Sequence, residues 1–416
     1  MYRYTSRRRP APPPAIRPDA FVRDGPTVLS YAVLACFTFW LYAFAPAVTL
    51  LRAELGFSYS VLGLYQVLWA GGAALAGATF GWAARHLARG ALLWWSALVT
   101  AGGAAVFTLG TGVPATLIGA GVFGAAGTML LTVDQAILSD RHGSRRDRAL
   151  TEANVGAGAS AVIAPLIVGG SAALVFGWRA AFALPAVALV ALHLRYRRLT
   201  LPRPGGHRAA GGPGRLPLAC WLFAVLTAVS SAIEFCLVYF GPQVLLELGL
   251  SAAAAGTALS SNLLGILTGR VVGARITRRP GRSVPLLSVS LATTFVGVVL
   301  FWVADRPALA VGALFLAGLG IANLYPLSLA LTLGAAPGQE DRANARTQVV
   351  LGVLAAASPY LLGALADRRG LATGFALEPV LIGGCAVLLW AGLRTLRPAV
   401  RPMVAGPSGG SGESGG

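Results

Sequence analysis

Two acidic residues, Glu234 and Asp134, stand inside long apolar runs of a 416-residue chain that holds 15 acids in all. A carboxyl group in such surroundings can take up and release a proton, because burial disfavours its charged form. Glu234 lies 17 residues beyond Pro217, roughly 25 Å along a helix that starts there. Ser230 precedes it by one turn on the same helix face and could share a hydrogen bond with it. Proton coupling is the favoured reading of Glu234, ahead of a structural tie to a neighbouring helix. Asp134 lies 20 residues beyond Pro114, roughly 30 Å along its own helix. At that depth Arg145 or Arg148 could hold it, so a structural role is expected first and a coupling role second. Glu378 is expected at the membrane interface, and Arg270 is expected to snorkel or to bind a helix end.

Uncharged polar groups offer a second kind of chemistry. Asn262, and Asn323 with Tyr325, fall near the middle of apolar runs, and Pro326 loosens the helix beside the last two. An earlier run offers Thr38, Trp40 and Tyr42. Trp40, Tyr42, Ser230, Asn262, Asn323 and Tyr325 are therefore the candidate solute-binding residues. Each could equally make a helix–helix hydrogen bond, worth about 0.6 kcal/mol. None of the four histidines (His86, His142, His193, His207) falls mid-run, which disfavours a histidine relay. The four cysteines show neither metal spacing nor a disulfide framework. No metal and no cofactor is expected.

The elements that must position these groups are membrane spans. The chain is 56% hydrophobic and 12% charged, against about 25% charged in soluble domains. Twelve runs are long enough to cross roughly 30 Å of hydrocarbon. They lie near 28–51, 59–84, 91–110, 113–138, 150–173, 178–197, 217–242, 251–274, 283–304, 307–335, 345–366 and 372–394. The fold class read from them is an all-α membrane protein. An Arg/Pro-rich tail (1–27) precedes a six-helix half (28–197), a linker (198–216), a second six-helix half (217–394) and a Gly/Ser-rich tail (395–416). Both tails read as disordered.

The net charge is +18, and every basic residue is arginine. The absence of lysine excludes a P-loop. In a membrane protein a basic excess marks cytoplasmic loops rather than nucleic-acid binding. Only Arg52, Arg179, Arg306, Arg368 and Arg369 map to one side, leaving 28 of 33 on the other with both termini and the linker. That side is expected to be cytoplasmic. Arginine-only, Ala/Gly-rich usage points to a bacterial plasma membrane, and the partners expected are lipid, a small-molecule solute and protons, with the chain a monomer.

A duplication ties these features together. Asp147-Arg148-Ala149 returns as Asp341-Arg342-Ala343, 194 residues on. Pro165 and Pro359 are also 194 apart, and Gly177 and Gly370 are 193 apart. In each copy the proline follows the arginine by 17 residues, and a glycine follows the proline by four. A constant offset of this kind marks a repeated half. Each half has an even number of spans, so the two enter the membrane in the same direction, as parallel repeats.

On these residues the chain resembles the major facilitator superfamily over about 28–394. The carriers are the six-plus-six repeat, the loop after the second span, the Asp147-Arg148-Ala149 entry and Gly177-Trp178-Arg179. The loop signature keeps Gly72, Gly81, His86 and Arg89, but Arg85 stands where the family has an aspartate. With Arg148 and Arg342 these form the candidate gating loop. The resemblance implies two halves rocking about a cavity lined by spans 1, 4, 7 and 10. Proton antiporters of the family carry an arginine where Ala120 stands here, and a Gly-Pro element matched in part by Ala164-Pro165. The segments around Glu234 and Gly269-Arg270 loosely resemble sugar permeases. The function expected is a proton-coupled secondary transporter of a small organic solute, not an enzyme, with efflux ahead of uptake of a sugar or small metabolite. A non-transporting receptor or scaffold is the further alternative.

Overall fold

In the computed structural model, residues 21–172, 174, 177–201, 215–277 and 281–396 are described, apart from the side chains at 144, 146, 147 and 341. Most of both tails and of the linker, and the Arg278-Arg279 pair, lie outside them. Among the described residues there is no strand. The helices are α1 (Gly25–Leu55), α2 (Tyr59–His86), α3 (Arg89–Leu109), α4 (Val113–His142), α5 (Arg146–Ser171) and α6 (Arg179–Tyr196). The second set is α7 (Leu218–Glu247), α8 (Ala252–Ile276), α9 (Ser283–Trp302), α10 (Pro307–Ile321), α11 (Leu324–Gly334), α12 (Glu340–Arg369), α13 (Leu371–Phe375) and α14 (Leu377–Leu396).

Two predicted spans are each broken into two helices, and proline explains both breaks. Pro326 has no N–H for the carbonyl of Ala322, four residues back, and its ring crowds that carbonyl. The chain turns at Ala322–Asn323, and regular bonding resumes with Leu327 N–H to the Asn323 carbonyl. Pro379 stands in the same relation to Phe375, where α13 ends. Other helices run past the expected bounds. α4 continues to His142 and α7 to Glu247. Eleven spans are long and apolar enough to cross a membrane by composition alone. The twelfth, α8, carries Ser260, Ser261, Asn262, Thr268 and Arg270 and is correspondingly less apolar.

The fold is two parallel six-helix repeats. Within the first half α1 packs on α5, α2 on α4 and α3 on α4. The second half repeats this with α7 on α12, α8 on α10 and α9 on α10. Between halves the pairs are exchanged: α2 lies along α12, and α5 lies along α8. The repeated glycines make these approaches possible. A Cβ on Gly363 of α12 would come 2.3 Å from the Tyr59 carbonyl of α2. A Cβ on Gly169 of α5 would come 2.7 Å from the Ala253 carbonyl of α8. A Cβ on Gly63 would meet the Pro359 carbonyl at 2.6 Å.

These contacts sit at the end of the bundle where α1 finishes and α2 begins, here the far end. The opposite end, where α1 starts and α14 finishes, is the terminal end. The five arginines singled out by the sequence all belong to the far end. There Arg179 pairs with Glu54, and Trp178 Nε1 donates to the same carboxylate at 2.7 Å, which is the use the fold makes of Gly177-Trp178-Arg179. Gly177 takes φ +62°, a conformation that suits glycine.

Candidate functional site

The far end is sealed by polar contacts that cross between the halves. Asp367 of α12 accepts the N–H groups of Tyr59 and Ser60, each at 2.8 Å, at the start of α2. A carboxylate there also meets the positive end of the α2 dipole. Arg52 of α1 donates to Gln243 Oε1 of α7 at 2.9 Å and lies over the Tyr59 ring at 4.0 Å. Gln243 Nε2 donates to Thr49 at 3.2 Å, and the Tyr59 hydroxyl reaches Glu247 at 3.4 Å.

Arg270 of α8 is exposed. Its charge is near enough to act on Tyr42 of α1, in the other half. Its helix meets the first half at Gly256, packed on Pro46, and at Leu267, packed on Gly158. An exposed side chain at the seam between the halves marks one wall of a candidate cleft there. Glu234 of α7 is partly buried beside it, and the Arg270 charge acts on both Glu234 and Tyr42. Three elements, α1, α7 and α8, thus bring a phenol, a carboxyl and a guanidinium together. The acid and the guanidinium interact at a distance, without the direct ion pair that N–O contact within 4.0 Å would make.

The other candidates are placed elsewhere. Trp40 is fully buried, donates to the Phe182 carbonyl at 2.9 Å and meets Phe123 edge-on. Ser230 donates to the Leu226 carbonyl and faces Cys385 of α14, not Glu234. Asn262 donates to the Leu314 carbonyl at 3.0 Å, tying α8 to α10. Asn323 caps α11 at the helix break and donates to the Gly269 carbonyl at 3.1 Å. Tyr325 is half-buried and accepts from Gln348 of α12.

Two expectations need correction. Asp134 is not held by loop arginines near the headgroups. It is fully buried, its nearest polar neighbour is Ser30 of α1, and neither carboxylate oxygen has a hydrogen-bond partner. The cause is length: α4 extends eight residues beyond it, and Arg148 instead pairs with Glu152. Glu378 is not interfacial either. It is fully buried near Cys236 and Cys385, with both oxygens unpartnered, because the α13–α14 break carries it inward.

The gating-loop residues divide by role. Gly72 lets α2 approach α4, where a Cβ would lie 2.5 Å from the Gly121 carbonyl. A Cβ on Gly81 would meet only the end of the Arg85 side chain, at 3.9 Å. His86 bonds the Trp82 carbonyl. Arg89 pairs with Asp140 at 3.1 Å, tying α3 to α4. Arg148 pairs with Glu152, which also holds Arg23. Arg342 lies exposed in the first turn of α12.

Helix pairs exchanged between two parallel repeats, with polar ties across one end, are the architecture of a membrane transporter. The model of the Major Facilitator Superfamily matches residues 28–225 and again 223–409, and the chain belongs to that family. It is a multi-pass secondary transporter and not an enzyme. A comparison with curated protein sequences gave no match. Among solved structures it is similar to a bacterial homologue of the human lysosomal transporter Spinster in an inward-facing, unoccupied conformation. That match has 15% identity, covers 89% of this chain and 96% of the other, and has a TM-score of 0.70. The nucleoside transporter NupG shares 14% identity over 90% and 98% of the two chains, with a TM-score of 0.69. A peptide transporter POT in complex with sulfate shares 16% over 89% and 94%, with a TM-score of 0.71.

Proposed function

We propose that this chain couples proton movement to the transport of a small organic solute across a bacterial plasma membrane, with the terminal end in the cytoplasm. The arginine-rich loops support that orientation. With the far end sealed, the structure then corresponds to the inward-facing state. The observation that carries the coupling is the meeting of Glu234, Tyr42 and Arg270 in the cleft between the repeats. A permanent charge in the hydrocarbon layer costs about 2.5–3.5 kcal/mol on insertion scales. Glu234 escapes that cost by taking a proton whenever the cleft closes and its water leaves. Glu234 is therefore poised to change state with the conformation. Asp134, buried without a partner, is the second coupling candidate. Ala164-Pro165 in α5 favours efflux as the net direction.

The test uses proteoliposomes and a solute found by thermal-shift screening. Glu234→Gln keeps the shape of the protonated acid. It should abolish accumulation driven by a pH gradient while counterflow exchange continues. Asp134→Asn should be milder. A glutamine variant that still concentrates solute, with unchanged pH dependence, would make Glu234 structural.

A further inference from the structure

We propose that Arg270 is the anchor for a single negative charge on the transported solute, a carboxylate or an equivalent monoanion, and that the Tyr42 hydroxyl is its second donor. This rests on the alternating-access reading but not on the coupling role of Glu234.

Arg270 has donors to spare. It is exposed to the cleft, and no carboxylate among the described residues stands within 4.0 Å of its nitrogens. A guanidinium has five N–H donors and no acceptor. The Tyr42 oxygen can take one of them. The remainder of the planar fork has water for company, in a shape that fits a carboxylate through two parallel bonds. When Tyr42 accepts from Arg270, its own O–H is left to donate. The two groups then present donors from opposite halves, so an anion held by both would join α1 to α8 across the seam.

The rest of the cleft narrows the solute further. A sugar or other polyol needs several free donors and acceptors. Asn323, Ser230 and Trp40, which could supply them, instead bond backbone carbonyls at 2.8–3.1 Å, and Asn262 bonds the Leu314 carbonyl with only its buried Oδ1 left over. A solute with two negative charges meets one cation with Glu234 close by, and the second charge is repelled whenever Glu234 is ionised. A monoanion with an apolar body satisfies what is present.

The experiment is an equilibrium thermal-shift titration of the purified full chain at fixed pH, with no gradient. The probes are aliphatic and aromatic monocarboxylates, each paired with its neutral amide, and the corresponding phosphate monoesters. One or more carboxylates should raise the melting temperature while their amides do not. Arg270→Gln should weaken that binding by roughly tenfold or more, and Arg270→Lys by less, since a point charge cannot form the paired bonds. Arg275→Gln, an exposed arginine later in α8, should leave it unchanged. Amides that bind as well as acids, carboxylate shifts equal in Arg270→Gln and wild type, or Arg270-dependent binding confined to phosphate monoesters would each overturn the proposal. Since Arg270→Gln could fold poorly, the Lys variant carries the test alone if needed: binding identical to wild type counts against the paired-bond geometry. Because binding is read without a proton gradient, a chain that binds carboxylates through Arg270 but fails the Glu234 test loses only the coupling reading.

Discussion

Removing the Asp367 carboxylate should open the far end. Its two oxygens accept one N–H each from Tyr59 and Ser60, both at 2.8 Å, and both bonds cross from α12 to α2. Hydrogen bonds to a charged group contribute about 1.5–3 kcal/mol each when well shielded. Asp367 is exposed, so water competes and the lower figure applies to the pair together. The favourable meeting with the start of a helix adds about 0.3–1 kcal/mol. Asp367→Ala should therefore shift the balance between sealed and open far ends by about 2 kcal/mol, or roughly thirtyfold. Asp367→Asn keeps one acceptor and should give about half of that free energy. Spin labels on Ala53 and Arg306, exposed far-end positions in different halves, would report it by pulsed electron resonance. A new population at longer distance should appear in Asp367→Ala and be smaller in Asp367→Asn. If the distance distribution stays as in wild type while global stability falls, the bonds brace α12 and do not latch the seam.

The same assay checks the glycines: Gly363→Ala and Gly63→Ala place a Cβ within 2.3 and 2.6 Å of backbone across the seam and should favour the open far end, whereas Gly71→Ala meets nothing within 4 Å and should leave it sealed. Asp24, just outside α1, caps that helix through Thr27 and pairs with Arg141. Its partial burial alone would raise its pKa, but the Thr27 and Arg141 bonds outweigh that and hold it below the ordinary value. A depressed folded value means the stabilisation is complete above the unfolded value of about 3.9 and is lost as pH falls through the lower, folded one. Asp24→Ala should cost about 1 kcal/mol at neutral pH and flatten the decline of stability in acid, as read by thermal melts between pH 6 and pH 3.

Much of the architecture could be read without coordinates because hydrocarbon imposes long apolar runs and duplication imposes a fixed offset. Pro165 and Pro359, spaced alike in the sequence, do sit alike in α5 and α12. The candidate site was legible only in part. Glu234 and Tyr42 stood out by type and depth, but Arg270 looked like a residue near a helix end. Its role depends on α8 leaning against α1, and no local pattern encodes that. Asn262 and Asn323 looked like solute ligands because their depth was right, yet their partners are carbonyls of adjacent helices. Asp134 was misjudged because four more residues of α4, from Ser139 to His142, place its carboxyl below the surface. The far-end latch was missed altogether, since Asp367 and Tyr59 are 308 residues apart and each alone reads as an ordinary interfacial residue.

The two exchanged seams descend from one ancestral pairing and no longer match. Along α2 and α12 the join is close packing at Gly63 and Gly363 together with a carboxylate on two backbone N–H groups. Along α5 and α8 it is close backbone packing at Gly169 and one neutral bond, Ser260 to the Val162 carbonyl at 2.9 Å. A clasp of charge can be released in one step by water or a proton, while tight packing yields gradually. The molecule should therefore swing like a door rather than part like a curtain: α5 and α8 act as the hinge side, and α2 and α12 as the side that lets go. Drift after the duplication would in this way have turned a symmetric object into one with a preferred direction of opening.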